Sequence, residues 1–324
     1  MDSFWSAYSL FAAKTVTLLA LIVAAVVLAA RLRRHKDGPR EHLQVKKLND
    51  KYHTMAETLQ RAMLPKHDFK HYRHDRKHAD KQVRRGAEQR PRVFALDFKG
   101  DLRASAVRAL REEVTAVLTV ATPKDEVFVR LESAGGLVMS YGLAASQLAR
   151  VKQAGIPLVV AVDQVAASGG YLMACVADRI LAAPFAIVGS IGVVAQMPNF
   201  HGLLKKHDID YELHTAGEFK RTLTVFGENT EQGRAKLKEE IEETHALFKQ
   251  FLATHRPHLD IAAVATGEHW LGTRALDLKL VDELVTSDDY LLKRSQEADL
   301  YSVRYPLRRS LGERLGLSRD KTVF

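Results

Sequence analysis

The chain has one cysteine in 324 residues, Cys175. No intramolecular disulfide can form, and no cysteine-based zinc site is supported. Cys175 falls in an apolar helical pattern, where a thiol is buried and inert. A His-Glu-x-x-His metal motif is missing too. Basic charge is scarce where a catalytic body is expected. The net charge is +9, yet residues 31–92 hold 19 Lys/Arg against 8 Asp/Glu, which leaves residues 93–324 at about −2. The surplus belongs to one segment. That argues against a nucleic-acid-binding domain and for a stretch lying near anionic lipid headgroups.

Charge is absent again from residues 15–30, within "YSLFAAKTVTLLALIVAAVVLAARLRRHK". About 20 apolar residues cross a bilayer. Residues 8–30 fit if Lys14 snorkels to an interface. A cleaved signal peptide carries its basic flank before the apolar run, whereas here it follows. The segment reads as an uncleaved anchor over residues 1–30. Arg31, Arg33, Arg34, Lys36 and Arg40 follow the span, and the positive-inside rule then puts the next domain in the cytoplasm.

Residues 31–92 are basic and rich in histidine. His67, His71, His74 and His78 recur at i, i+4, i+7 and i+11, one face of a helix. Such a face suits a transition metal, but interleaved Lys and carboxylates give it the character of a solvated juxtamembrane helix. No metal is expected there. Gly86 and Pro91 mark a linker.

From residue 93 short apolar strands alternate with amphipathic helices. "VFALDF", "EVFVRL" and "IPLVVAV" are strands. "RASAVRALREEVTAVLTVA" and "LVMSYGLAASQLARVKQAG" are helices, the second with a glycine stop. This pattern predicts an α/β fold with a parallel sheet covered on both faces. "DRILAAP" and "AIVGSIGVV" read as further short strands or turns, "GLLKK" as a surface helix, "YELHTAG" as an alternating strand, and "NTEQGRAKLKEEIEETHALFKQFLATH" as one long helix. Residues 180–200 carry no charge, but Pro184, Gly189, Ser190 and Gly192 break the run into core strands and loops.

Two glycine pairs follow successive strands, Gly135-Gly136 and Gly169-Gly170. Glycine lets a backbone N–H approach a ligand unobstructed. An N–H from each turn can converge on one carbonyl oxygen as an oxyanion hole. Ser168, in "DQVAASGGYLMACVA", sits at a helix start. Serine there is either a nucleophile or an N-cap, and the stretch alone does not separate the two. A serine nucleophile needs a base. His201, His207 and His214 lie downstream, with no spacing that compels a triad. Lys220, in "HTAGEFKRTLTVFGENT", is the other candidate. It serves only if burial keeps it neutral.

"LESAGGLVMSYGLAASQL", "IPLVVAVDQVAASGGYLMACVADRILAAP", "IVGSIGVV", "HTAGEFKRTLTVFGENT" and "GEHWLGTRALDLKLVDEL" occur in order. Together they resemble the signal peptide peptidase A family of serine peptidases, and the basic, anchored N-terminus is similar to its SohB-type branch. The resemblance implies a crotonase/Clp-like superhelix of β-β-α repeats. It also implies a Ser-Lys dyad without a cofactor, with Ser168 as nucleophile, Lys220 as base and Ser190 orienting the lysine. The oxyanion donors fall at Gly135 or Gly136 and at Gly169. The peptidase domain is expected over residues 93–300, with a tail over 301–324. Val188, Val193, Val194, Ala195 and Met197 are expected near a pocket for apolar peptides, such as signal-peptide remnants.

Ala134 stands where the family often has Pro, and Lys279 where Gly is usual; Tyr171 matches the family pattern. Clp-type proteases need a histidine shortly after the serine, and "AIVGSIGVV" has none. Crotonases lack a serine nucleophile at this turn. Peptide substrates, membrane lipid and further copies of the chain are the implied partners, at a bacterial inner membrane. The resemblance favours the periplasmic side, against the basic flank. The rival readings are a scaffold that keeps the fold without activity and a metal-responsive histidine segment.

Overall fold

The computed structural model describes residues 2–36, 42–85 and 90–307. The expected linker glycine, Gly86, lies outside the described residues, as do residues 308–324 of the expected tail. The chain forms two compact units: residues 1–42 with 306–324, and Leu43–Tyr305. In the first, α1 (Asp2–Lys36) runs for 35 residues. Leu18, Leu19, Leu21, Ile22 and Val23 are each more than half exposed. Among the described residues, no helix is long and apolar enough to cross a membrane.

The second unit is built on a seven-stranded sheet. Its chain order runs β1 (Gln44–Lys47), α2 (Leu48–Met63), α3 (Lys66–Arg85), β2 (Arg92–Lys99), α4 (Val107–Leu118), β3 (Glu126–Glu132), α5 (Val138–Gln153) and β4 (Leu158–Val162). Then come β5 (Val165–Ala167), α6 (Gly169–Ala174), β6 (Arg179–Ala182), β7 (Ile187–Gly189) and α7 (His201–Lys206). The last third holds α8 (Glu231–His255), α9 (Ile261–Val264), β8 (His269–Leu271), α10 (Gly272–Asp277), β9 (Glu283–Leu284), α11 (Ser287–Glu297) and β10 (Asp299–Arg304).

The main sheet is ordered β1-β10-β2-β3-β4-β6-β9. All its pairs are parallel except β1 with β10. β4 is buried at every position, as a parallel strand covered on both faces must be. One face carries the larger core. There Val107, Leu110, Val114 and Val117 of α4 and Ala144, Ala145 and Leu148 of α5 pack on Phe94, Leu96, Val129 and Val160. On the other face, Val93, Ala95, Phe128 and Leu181 meet Tyr290 and Leu291 of α11. Alternate residues of β2 thus serve opposite cores, as a period of two requires.

The stretch expected as a basic juxtamembrane segment contributes to this unit. β1 is its edge strand. Asn49 is buried in α2 and donates to the carbonyls of Ser295 and Ala298, both at 3.0 Å, while its Oδ1 accepts from Leu300 N at 2.8 Å. The four histidines lie along α3 with neighbouring rings, His67 and His71 at 4.6 Å and His74 and His78 at 4.4 Å between centroids. Among the described residues, no three His, Cys, Asp or Glu side chains are grouped to hold a metal ion.

A small second sheet, β5-β7-β8, stands beside the first. Its central strand comes from "AIVGSIGVV". β5 lies within "DQVAASGGYLMACVA" and ends directly before Ser168. Two strand–strand units therefore follow one another, β4–β5 leading into α6, then β6–β7. The expected strand in "YELHTAG" does not form; residues 210–217 have no strand and are exposed. Its alternation has no partner strand to satisfy. Cys175 is fully buried, and burial pushes its thiol pKa well up.

Candidate active site

Backbone pairing around β5 assembles the site. Residue 133, just past β3, forms a parallel bridge with Ala166. Ser133 N donates to Val165 O at 2.8 Å, and Ala167 N donates to Ser133 O at 3.0 Å. The glycine turn that follows is thereby brought alongside Ser168. A Cβ placed on Gly135 would meet Ser168 Cβ at 2.7 Å and Gly169 N at 2.8 Å, so only glycine fits there. Gly135 also holds φ +91, a second reason for glycine.

On the other side, β5 pairs with β7 in parallel, Ala167 opposite Gly189. The next residue of each strand is a serine, so Ser168 and Ser190 share a register. Ser168 N donates to Gly189 O at 2.8 Å, and Ser190 N donates to Glu268 O at 2.6 Å. Both serines have φ +51, and Ser168 has ψ −119. A non-glycine residue in such a region is strained by about 1–3 kcal/mol. Matching strain at two adjacent half-buried hydroxyls marks a place where geometry is imposed.

Ser168 stands at the N-cap position of α6, but its side chain makes no capping bond. Its hydroxyl has no hydrogen-bond partner among the described residues. The capping alternative therefore loses its physical basis. α6 has six residues, too short for its dipole to count for much. What it does supply is an unpaired N–H at Gly169.

The two glycine turns differ in what they leave free. Gly135 N donates to Ser133 Oγ at 3.0 Å, so that N–H is already engaged. Gly136 N–H has no acceptor among the described residues. Gly136 itself is pressed on the 100–105 loop, where an added Cβ would lie 2.1 Å from Leu102 O. Gly136 and Gly169 thus each keep a free backbone donor beside Ser168.

Lys220 is not brought to Ser168. It is exposed, and among the described residues its one hydrogen bond is a backbone turn, its N donating to Gly217 O at 3.1 Å. No residue from Gly192 to Thr230 is buried. That segment closes on itself at its base. Asn199 Nδ2 donates to the carbonyls of Thr224 and Gly227 at 2.9 and 3.0 Å, and Phe200 stacks on Phe226. The low-dielectric surroundings expected for a neutral lysine are absent around it. His201, His207 and His214 belong to the same segment, and none bonds to Ser168; His214 faces Glu212 at 3.3 Å. Val188, expected near a pocket, is instead fully buried in the core.

Sequence reasoning also overlooked Ser133 and Tyr141, both buried beside the glycine turn. Their only local signal was position, two residues before and five residues after "GG".

The chain matches the family descriptions "Peptidase family S49 N-terminal" over residues 3–148 and "Peptidase family S49" over residues 150–301. It is 48% identical over 340 residues to "Probable protease SohB" of Haemophilus influenzae, covering 100% of this chain and 95% of that one. It is 47% identical over 311 residues to the protein of the same name from Buchnera aphidicola subsp. Acyrthosiphon pisum, covering 96% and 93%. Among solved structures it is similar to a mutant of the 1510-N membrane-bound stomatin-specific protease in complex with a substrate peptide. There the identity is 12% and the TM-score 0.45, over 70% of this chain and 97% of that one. Two adjoining family matches across most of the chain, and near-half identity along its full length, make this protein a member of peptidase family S49, of the SohB type.

Proposed function

We propose that this peptidase is a membrane-anchored serine endopeptidase working through a Ser168–Lys220 dyad on a Clp-like scaffold. The observation that carries the reading is Ser168 itself. It is a strained serine with an uncommitted hydroxyl, set between a glycine turn and the free N–H of Gly169. Lys220 Nζ takes the Ser168 proton, and the alkoxide attacks a peptide carbonyl. The N–H groups of Gly136 and Gly169 receive the developing oxyanion. The lysine returns the proton to the leaving amine, and a water activated by the same lysine hydrolyses the acyl-enzyme. Ser190, in register with Ser168, orients the lysine.

A neutral lysine base requires burial, so residues 192–230 must order over the site before it works. Val194, Leu203, Ile209, Phe219 and Phe226 of that segment are exposed apolar groups. Such a surface supports a homo-oligomer in which the segment is covered by another copy or by substrate. The apolar lining suits hydrophobic peptides, including signal-peptide remnants. The uncharged run 15–30 and the exposed apolar side chains of α1 support anchoring of the chain in a bacterial inner membrane.

The test is covalent labelling of the full-length protein in detergent with a fluorophosphonate, alongside hydrolysis of a hydrophobic peptide. Wild type should label, and Ser168→Ala should not. Lys220→Ala should lower peptide hydrolysis by about 10²–10⁴-fold. Unlabelled wild type in an intact assembly overturns the serine mechanism and favours a scaffold that keeps only the fold. Unchanged hydrolysis by Lys220→Ala overturns the dyad alone.

A further inference from the structure

The glycine turn beside Ser168 is held by a chain of buried hydrogen bonds with one possible direction. Tyr141 Oη lies 2.7 Å from the carbonyl oxygen of Asp101. A carbonyl only accepts, so the phenol proton is committed there. Ser133 Oγ lies 2.6 Å from Tyr141 Oη, and with the phenol proton engaged, Ser133 must donate. Its lone pairs then accept the Gly135 N–H at 3.0 Å. Every donor in this chain meets an acceptor. Burial raises the Tyr141 pKa further, which keeps the phenol protonated.

Tyr141 touches both halves of the site. A Cβ on Gly169 would lie 2.4 Å from Tyr141 Cγ, so the ring is the floor on which the first residue of α6 rests. The space around the hydroxyls is full, since a Cβ on Gly100 would come within 2.4 Å of Tyr141 Oη and 2.6 Å of Ser133 Oγ. Ser133 and Tyr141 are 2% and 0% exposed. Both hydroxyls are closed off from solvent. The Asp101 end is anchored too, its carboxylate accepting from Arg103 N, Ser105 N and Ser105 Oγ.

We propose that the Ser133–Tyr141 hydroxyl pair is a positioning device for the oxyanion site. It fixes the Gly135–Gly136 turn against Gly169, so that the Gly136 and Gly169 N–H groups aim at one point. This rests on the reading of Ser168 as nucleophile. Neither side chain touches substrate. Misplacing a donor by about 1 Å is worth on the order of 100-fold in rate, and losing one outright about 10²–10³-fold.

The experiment compares wild type with Tyr141→Phe and Ser133→Ala in the full-length protein, with active sites counted by fluorophosphonate. Per labelled site, kcat should fall about 10–100-fold with KM changed less than about 3-fold. The inhibition constant of a peptide aldehyde, whose adduct carries the oxyanion, should rise in step with the loss in kcat/KM. Independently of activity, amide hydrogen exchange over residues 133–137 should speed up in both variants. If the variants match wild type in kcat while Ser168→Ala is inert, the positioning role is overturned and the nucleophile stands. If kcat per labelled site is intact and only the number of labelled sites falls, the pair is merely structural, and the proposal fails. If wild type neither labels nor hydrolyses, the nucleophile reading fails, and exchange at 133–137 still decides whether the pair holds the turn; unchanged exchange overturns that as well.

Discussion

Backbone strain in this protein is concentrated at a few residues, and it has two kinds of cause. Ser168 and Ser190 hold φ +51 where strands end at the site. Lys279 holds φ +59 for a local reason. It follows α10 in the position where a helix usually ends in a left-handed glycine. Lys279 N donates to Leu276 O at 2.9 Å, and Leu280 N donates to Ala275 O at 2.8 Å, which is the Schellman pattern of bonds. The departure from glycine noted in the sequence is therefore real strain on an exposed side chain. Lys279→Gly should stabilise the protein by about 0.5–1 kcal/mol, the left-handed penalty of the lysine less the added freedom of unfolded glycine. Thermal unfolding should shift upward by roughly 1–3 °C. Lys279→Ala should not, because a Cβ remains. A drop in stability for the glycine variant would contradict this account.

Between elements, the key contact for stability against pH is Glu113 of α4. It is 5% exposed and accepts from Tyr305 N at 2.7 Å, just after β10. Burial raises its pKa to about 7; the Tyr305 N–H opposes this and the charge of Asp97 adds to it. The folded state thus holds a proton that the unfolded chain, near the ordinary 4.5, has already released. The stabilisation is complete below about pH 4.5 and is lost as pH rises through 7, by up to about 3 kcal/mol. Glu113→Gln keeps an acceptor for Tyr305 and removes the titration. Urea midpoints at pH 5.5 and 8.5 should differ less in the variant than in wild type, and equal pH slopes would sink the assignment. Element order was mostly legible in the sequence because helices and buried strands have local periods. The pairings that build the site were not. Nothing local in "ASGG" and "GSIG" shows that β5 and β7 align Ser168 with Ser190, or that residue 133 bridges Ala166. Lys220 could be picked out only by resemblance. Its local sequence has no apolar period that would bury it, and the structure leaves it exposed.

On the scale of the whole chain, apolar side chains are exposed in several elements, Met55, Leu59 and Met63 of α2 and Val138 and Met139 of α5 among them, and the two longest such stretches are α1 and residues 192–230. They differ in pattern. In α1 the exposed residues Leu18, Leu19, Leu21, Ile22 and Val23 cover successive positions around the helix, a surface that the proposed anchoring would place against lipid. In 192–230 the apolar groups alternate with charged ones, as in Lys205, Lys206, Asp208 and Asp210 around Leu204 and Ile209, which suits a protein partner better than a bilayer core. Leu43–Tyr305 has both cores of the sheet within it, so its cooperative unfolding does not depend on α1. On the proposed anchoring, deleting residues 2–36 should move the protein from the detergent phase to the aqueous phase in cloud-point partitioning, with the unfolding midpoint kept within about 3 °C; an intact chain found in the aqueous phase overturns the anchor. A truncated chain that stays in the detergent phase would overturn α1 as the anchor and point to the apolar side chains exposed elsewhere, those of residues 192–230 among them.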